Sequence, residues 1–471
     1  MSAVLAILCA LLQPAAVQAP SACRLADSLG GSWCSERFEL REEAYDLNVD
    51  VTAARTSPCG RLQLGVDLRF VGKAEPLRHL LLSEGRPVTA GLLARLAPES
   101  LPGDDPWRAL VMLDSSMVVV YGGAYRTAVE LGAAAEYLTM SPGGRRALVR
   151  SDLGTEPSGA AVLSLDPVSA DVSSLFVGGR RRMFARHFGC AVSDAGLVLS
   201  GTGDGAVEVH VPEGENSWDT RYLHGADARF ERLRVTSAGG VTVLAGRRRW
   251  GLAEVLVLGP EGHDLARFEP LRESPRPALT PDGEHLVLLS GMGASIFGTF
   301  SGRLEREHLI GQAVGPPVVS PGSARWAGTF EGGDWVRTAP GRRIVVGDLS
   351  GEGAWQEVFA DGSRHWAYPR VLAVSDNGDV LIRLVLKVPG MPRGIRRLLL
   401  VGSGGEPLWM SEPLWPAAGG ARPTRNISGL GDAGLPSLAD LSSDGRRVVF
   451  FDYSGIREVT LLSKRPGGAN R

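Results

Sequence analysis

"LTPDGEHLVLLS", residues 279–290, sets a Pro281-Asp282-Gly283 turn between a hydroxyl residue, Thr280, and an apolar run from Leu286 to Leu289. The same order recurs along the chain. "TMSPGGRRALVRS" carries Ser141, "AVSDAGLVLSG" Ser193, "RVTSAGGVTVLAG" Thr236, "VVSPGSARWAGTF" Ser320, "AVSDNGDVLIRL" Ser375 and "DLSSDGRRVVFF" Ser442. Each copy is a short strand ending in a tight turn with glycine (serine in one copy), then a second strand antiparallel to the first. A third apolar run often follows, as in "AAVLSLD", "AEVLVLG", "RRLLLVG" and "REVTLLS".

The seven hydroxyl anchors are spaced 52, 43, 44, 40, 55 and 67 residues apart. Periods in the forties with three or four strands per unit predict the blades of a β-propeller. One such sheet cannot bury both of its faces, so the units must stack around an axis. Helical repeats of this period do not fit, because the apolar runs are short, rich in Val and Leu and broken by glycine. "ALVMLDSSMVVVYGGAYRTAVELG", residues 109–132, adds an eighth, shorter unit without the glycine turn. Trp107 to Ser463 is 357 residues, about 45 each for eight units or 51 for seven. The expected fold is therefore all-β, a seven- or eight-bladed β-propeller over 105–465 with a C-terminal tail at 466–471.

Residues 20–104 have a different pattern and are expected to form a small N-terminal module. In "AYDLNVDVTAA" the apolar positions Tyr45, Leu47, Val49, Val51 and Ala53 alternate, as do Leu62, Leu64, Val66, Leu68 and Phe70 in "RLQLGVDLRF". Two period-two strands joined by a Pro58-Cys59-Gly60 loop predict a hairpin. Residues 77–98 are expected to hold one or two short helices. In the alternative arrangement, one of these strands completes the last blade, which otherwise ends after three. The Pro/Gly-rich stretch 412–436 is expected to loop over one face of the ring.

The units "SPGGRRALV", "TPDGEHLVLL" and "SSDGRRVVFF" resemble the WD40-like repeats of the TolB-like family, whose pattern is Ser-Pro-Asp-Gly before a hydrophobic strand. The resemblance covers about residues 107–463, and no unit carries the whole pattern. Thr280 replaces the Ser, Gly143 the Asp and Ser323 the Gly in their respective copies. It implies a propeller of the bacterial envelope that docks other proteins, and it carries over no catalytic residue.

Net charge is -2, so no global field draws in nucleic acid or acidic lipid. The cations are nearly all arginine, with Lys73, Lys387 and Lys464 the only lysines. Codon bias of a GC-rich genome accounts for this more simply than a nucleic-acid surface. Ala3 to Leu12 is an apolar run of ten, too short to span a bilayer, followed by small residues up to Val17-Gln18-Ala19. Residues 1–19 are read as an export signal, despite the lack of a preceding cation. "PSAC", ending at Cys23, resembles a lipoprotein cleavage box, with Pro20 where a Leu is wanted. With Cys9 removed, Cys23, Cys34, Cys59 and Cys190 remain. Four cysteines in an exported chain permit disulfides in three connectivities. The protein is expected in the periplasm or outside the cell.

Catalytic signatures are sparse. No Gly-x-Ser-x-Gly elbow occurs, and "VSDNGDV" lacks the spacing and Trp of a sialidase box. The eight histidines show no HExxH and no zinc-finger spacing. "SDNGDV" and "GTGDGAVE" fall short of a calcium loop. No catalytic residue, metal ligand or cofactor is assigned. Six tryptophans fall between Trp326 and Trp415, and Trp335, Trp355 and Trp366 sit beside turn residues, as aromatics that bind a partner or a sugar do. Rings that fill gaps between blades explain such a cluster too. The functional expectation is an exported scaffold that binds an envelope or secreted protein. The alternatives are a hydrolase or lyase working at the propeller axis, or a glycan-binding module.

Overall fold

The computed structural model describes residues 32–46, 65–70, 107–114, 117–122, 125–130, 137–141, 146–151, 159–164, 172–176, 190–193, 196–201, 207–214, 217–223, 230–238, 241–248, 253–259, 264–268, 276–332, 341–349, 354–360, 366–386, 395–414, 439–451 and 455–463. All regular structure in them is β. The first strands of the described residues are β1 (Trp33–Cys34) and β2 (Phe38–Asp46). The first sheet follows as β3 (Gly65–Phe70), β4 (Trp107–Asp114), β5 (Met117–Gly122) and β6 (Tyr125–Glu130). The second holds β7 (Tyr137–Met140), β8 (Arg146–Ser151), β9 (Gly159–Ser164) and β10 (Val172–Phe176). The third holds β11 (Cys190–Val192), β12 (Val198–Gly201), β13 (Val207–Gly214) and β14 (Ser217–Leu223). The fourth holds β15 (Phe230–Ala238), β16 (Val241–Arg248), β17 (Ala253–Leu258) and β18 (Asp264–Phe268). The fifth holds β19 (Arg276–Leu279), β20 (His285–Ser290), β21 (Gly293–Gly298) and β22 (Leu304–Leu309).

In the sixth sheet the short β23 (Gln312–Ala313) and β24 (Val318–Val319) share one edge of β25 (Arg325–Gly332), followed by β26 (Gly341–Asp348) and β27 (Trp355–Ala360). The seventh is β28 (Trp366–Val374), β29 (Val380–Leu386), β30 (Ile395–Val401) and β31 (Pro407–Met410), with β1 added on the outside. The eighth is β32 (Ala439–Leu441), β33 (Arg447–Phe451) and β34 (Gly455–Ser463), completed by β2. The described residues thus form eight antiparallel sheets. The first strand of each sheet lies against the next sheet: β3 against β7, β7 against β11, β11 against β15, β15 against β19, β19 against β24, β24 against β28 and β28 against β32. β32 and β33 then lie against β3, so the sheets close into a ring.

The core lies between sheets. Leu286 and Leu288 pack against Val243, Val255 and Val257 of the fourth sheet, while Val287 and Leu289 of the same strand pack towards the sixth. That is the period of two working on both faces of one strand, and it explains the unbroken apolar run in "HLVLLS". A fully buried Leu or Val contributes about 1.5–3 kcal/mol, and every strand of this kind serves two interfaces.

The repeat turn has one geometry. Ser141, Ser193, Thr280, Ser320, Ser375 and Ser442 are all buried. Each amide donates to the first residue of the next strand or the one just before it, as from Thr280 N to His285 O (2.9 Å) or Ser375 N to Asp379 O (2.9 Å). Each hydroxyl accepts the amide of that same residue, as from His285 N to Thr280 Oγ1 (2.9 Å) and Arg447 N to Ser442 Oγ (2.9 Å). Three residues after the anchor the backbone turns left-handed: φ is 91° at Gly196, 73° at Gly283, 87° at Gly378 and 74° at Gly445. Glycine takes this conformation without penalty. Ser323 takes it in the sixth sheet, with φ 60°.

Four expectations change. Thr236 is no anchor: β15 runs in register past Thr236↔Val243 to Ala238↔Val241, leaving only Gly239-Gly240 between the strands. Most of the hairpin expected from residues 45–53 and 62–70 lies outside the described residues, and its described ends pair elsewhere, β2 with β34 and β3 with β4. Alternation shows that a strand has one buried face but does not name its partner, and the open edges of β34 and β4 supply it. The boundary expected at 104–105 therefore falls inside the first sheet, because β3 is its innermost strand. The short unit at 109–132 is likewise a complete four-stranded sheet once β3 is counted. Residues 1–19, the expected helices of 77–98 and the tail 466–471 lie outside the described residues, as does 415–436 of the long loop.

Candidate functional site

The strand directions give the ring two unlike rims. The hydroxyl turns stand at one, with the third-to-fourth-strand turns beside them. The connections between second and third strands, and those between sheets, leave from the other.

At the turn rim, polar groups are taken up by neighbouring sheets. Asp282 N donates to Ser323 Oγ (3.3 Å), Gly322 N to Asp376 Oδ1 (2.7 Å), Asp376 N to Ser443 O (2.9 Å) and Asn377 Nδ2 to Asp444 O (3.1 Å). These bonds tie the fifth to eighth sheets in one chain. Asp379 accepts from Ser403 N (3.0 Å). Burial lifts its carboxyl above the usual range, the Ser403 bond opposes this, and the Glu406 carboxylate adds to the rise. A Cβ at Gly322 would meet the Asp376 carboxylate at 2.6 Å, so a side chain there would push that carboxylate off the Gly322 amide.

Exposed apolar side chains stand at both rims: Phe300 (41%), Leu304 (51%) and Leu462 (45%) towards the turn rim, and two at the opposite rim. Met292 is 47% exposed and Leu309 66%. They are held together, since Gly293 pairs with Leu309 and the amides of Ile310 and Gly311 both donate to Met292 O (3.1 and 3.2 Å).

Two of the three tryptophans named from the sequence begin strands at different rims. Trp355 opens β27 at the turn rim and packs, partly buried, against the core shared by the fifth and sixth sheets. Trp366 opens β28 at the opposite rim, and Trp335 lies outside the described residues. Two other tryptophans fill the spaces between sheets. Trp326 is fully buried, stacked on His308 with centroids 6.0 Å apart and edge-on to Phe330. Trp409 is buried against Phe450 at 5.8 Å.

Among the described residues no group of three or more His, Cys, Asp or Glu is placed to hold a metal ion. The described histidines are His210 in β13, His285 in β20 and His308 in β22, none of them on an innermost strand. His285 faces Glu305 (3.4 Å), and His210 faces Glu208 (3.7 Å) in a buried site. Cys34 lies on the outer strand of the seventh sheet and Cys190 begins the inner strand of the third, four sheets away around the ring. Cys23 and Cys59 lie outside the described residues. No helix of the described residues is long and apolar enough to cross a membrane.

The sequence reading missed Met292 and Leu309. Their signal was faint, a lone Met in a two-residue connection and a Leu closing the charged run "LEREHL". It missed as well a recurrent Glu-Val in third strands, where Glu208, Glu254 and Glu458 are all buried.

A ring of four-stranded antiparallel sheets with inner strands at the centre defines a β-propeller. No protein-family model and no curated protein matches the sequence. Solved structures similar to the chain include the WD40 domain of SCAP from fission yeast, at 9% identity and TM-score 0.46, covering 91% of this chain and 99% of that one. The Dos1 propeller is similar at 8% identity and TM-score 0.45, covering 76% and 90%. Hsv2 of Kluyveromyces lactis is similar at 13% identity and TM-score 0.41, covering 62% and 88%.

Proposed function

We propose that the chain is an eight-bladed, TolB-like propeller that serves as an exported protein-interaction scaffold of the cell envelope, periplasmic or secreted. The blade count rests on the eight sheets of the described residues and on the closure of β32 against β3. The observation that carries the function is the exposed pair Met292 and Leu309. Water-exposed apolar side chains held in place by backbone bonds favour a protein partner over a sugar or an ion, and methionine adapts its shape to such a surface. Trp366 begins its strand at this same rim. Export rests on the leader-like residues 1–19, and a mature N-terminus at Pro20, read by N-terminal sequencing, tests it.

A photo-crosslinking residue placed at 309 in the full-length protein, in its native cells, tests the scaffold. The expected result is one or two reproducible envelope proteins, lost when Met292→Glu is added. The same probe at 284, on the turn rim, is expected to capture none of them. Equal capture from both positions, or none from 309, overturns the reading.

A further inference from the structure

Residues 33–46 reach two sheets with only Ser35, Glu36 and Arg37 between the strands. β1 lies on the outer edge of β31, with Trp33↔Met410 and Cys34↔Trp409. β2 lies on the outer edge of β34 through consecutive pairs from Phe38↔Ser463 to Asp46↔Gly455, with no register shift. The corner between them is fixed as well. Ser35 N donates to Leu408 O (2.9 Å), Phe38 N donates to Ser35 O (3.0 Å), and Arg37 stands 3.8 Å from Glu406.

The side chains of this segment reach two different cores. Trp33 packs on the apolar cluster between the sixth and seventh sheets, and Cys34, Phe38 and Leu40 pack on the one between the seventh and eighth. Three sheets are therefore joined by one short stretch of chain. Its attachment also differs in kind from that of the other outer strands. Every other outer strand of a blade, such as β22 after β21 or β31 after β30, follows its neighbour through a short connection that holds it close when the ladder opens. β2 has no such tether to β34, and it is exposed on both faces, at Glu39 and Arg41 on one and Glu42 and Ala44 on the other.

We propose that residues 33–46 form a single clasp, in which β1 and β2 bind and release together, and that the ring opens there before any other sheet loosens. Release uncovers the outer edges of β31 and β34 side by side, and sheet edges of that kind accept an extended strand. The shared corner makes the two strands one unit, because losing either ladder leaves the other to hold Ser35 to Arg37 alone.

Hydrogen exchange followed by mass spectrometry on the full-length protein tests the clasp. In the unaltered protein, amides of 38–46 are expected to exchange faster than those of β29. Trp33→Ala, which changes only β1, is expected to accelerate exchange in β2 by about tenfold while β20 and β29 stay unchanged. Leu40→Ala is expected to do the converse, loosening β1, and unchanged β20 and β29 show that each variant is folded. Exchange in 38–46 as slow as in β29, or acceleration confined to the mutated strand, overturns the proposal.

Discussion

Replacing Ser375 with alanine isolates the hydroxyl on which the repeat is built. Ser375 is fully buried, and three hydrogen bonds meet there. Its amide donates to Asp379 O (2.9 Å), its carbonyl accepts from Gly378 N (3.0 Å), and its Oγ accepts from Asp379 N (3.0 Å). Alanine keeps the two backbone bonds and deletes the third, which leaves the Asp379 amide without its acceptor. An unsatisfied buried donor costs about 1–3 kcal/mol, so a loss of about 2 kcal/mol is expected. Threonine separates the hydrogen bond from packing, since Thr280 Oγ1 already makes the equivalent bond to His285 N at 2.9 Å. Ser375→Thr is therefore expected within about 0.5 kcal/mol of the parent. Urea unfolding followed by circular dichroism and fluorescence gives both values, provided the two signals change together. If Ser375→Thr is as damaging as Ser375→Ala, or if alanine is neutral, the anchor acts by shape or not at all.

Other sites make separate predictions. A Cβ at Gly347 would overlap Trp326 Nε1, so Gly347→Ala is expected to cost about 1–3 kcal/mol, less when combined with Trp326→Leu; a double-mutant cycle in urea measures the coupling. Burial pushes the His210 imidazole down from 6.5 to about 4, so the unfolded chain takes up that proton first. Stability is then unaffected by this group above about pH 6.5 and falls by about 3 kcal/mol as pH drops towards 4. His210→Gln is expected to flatten that limb of a stability–pH curve, and parallel curves would refute the assignment. Arg447 donates from Nε (2.8 Å) and Nη2 (2.5 Å) to Glu458 Oε1 in a largely buried pair. Glu458→Ala alone is expected to cost about 3–5 kcal/mol, and replacing both residues with methionine less, as read from unfolding free energies.

Much of the ring was legible because the turn imposes its chemistry on the sequence. A buried hydroxyl, a left-handed position three residues on and a two-faced apolar strand each demand a narrow set of residues. The period followed from them. Ser323 shows how far that rule bends, since its Oγ meets Asp282 N of the neighbouring turn at a position glycine takes elsewhere. Thr236 misled because a hydroxyl before Gly-Gly looks the same whether it caps a strand or sits within one. The burial of Glu254 was not legible, for a carboxylate in "AEVLVLG" reads as a solvent-facing residue. Arg267 Nε, 3.2 Å away on the neighbouring strand, meets it at the buried site, and that partner lies outside the motif. The role of β2 was hidden for a related reason. Its ladder joins Phe38 to Ser463, so nothing local could name the partner.

The two rims differ in what they can tolerate, and this bears on where recognition sits. On the turn rim a change in one sheet is felt in the next: Asp376 serves Gly322, Asn377 serves Asp444, and side chains at Gly322 or Gly445 would strike a carboxylate of the neighbouring sheet. Polar groups that already satisfy one another cannot vary there without loosening the ring, although Phe300, Leu304 and Leu462 leave apolar surface exposed beside them. The opposite rim is tied between sheets as well, by Arg276 Nη1 to Ala313 O (3.3 Å) and Arg343 Nη2 to Ile310 O (2.6 Å), but its connections differ in length. Its connections run from the two residues Gly291-Met292 to the 28 residues between Met410 and Ala439, and lengths that vary so widely within one repeat mark segments the fold does not dictate. Specificity is free to diverge there, and Met292 and Leu309 already stand on that rim.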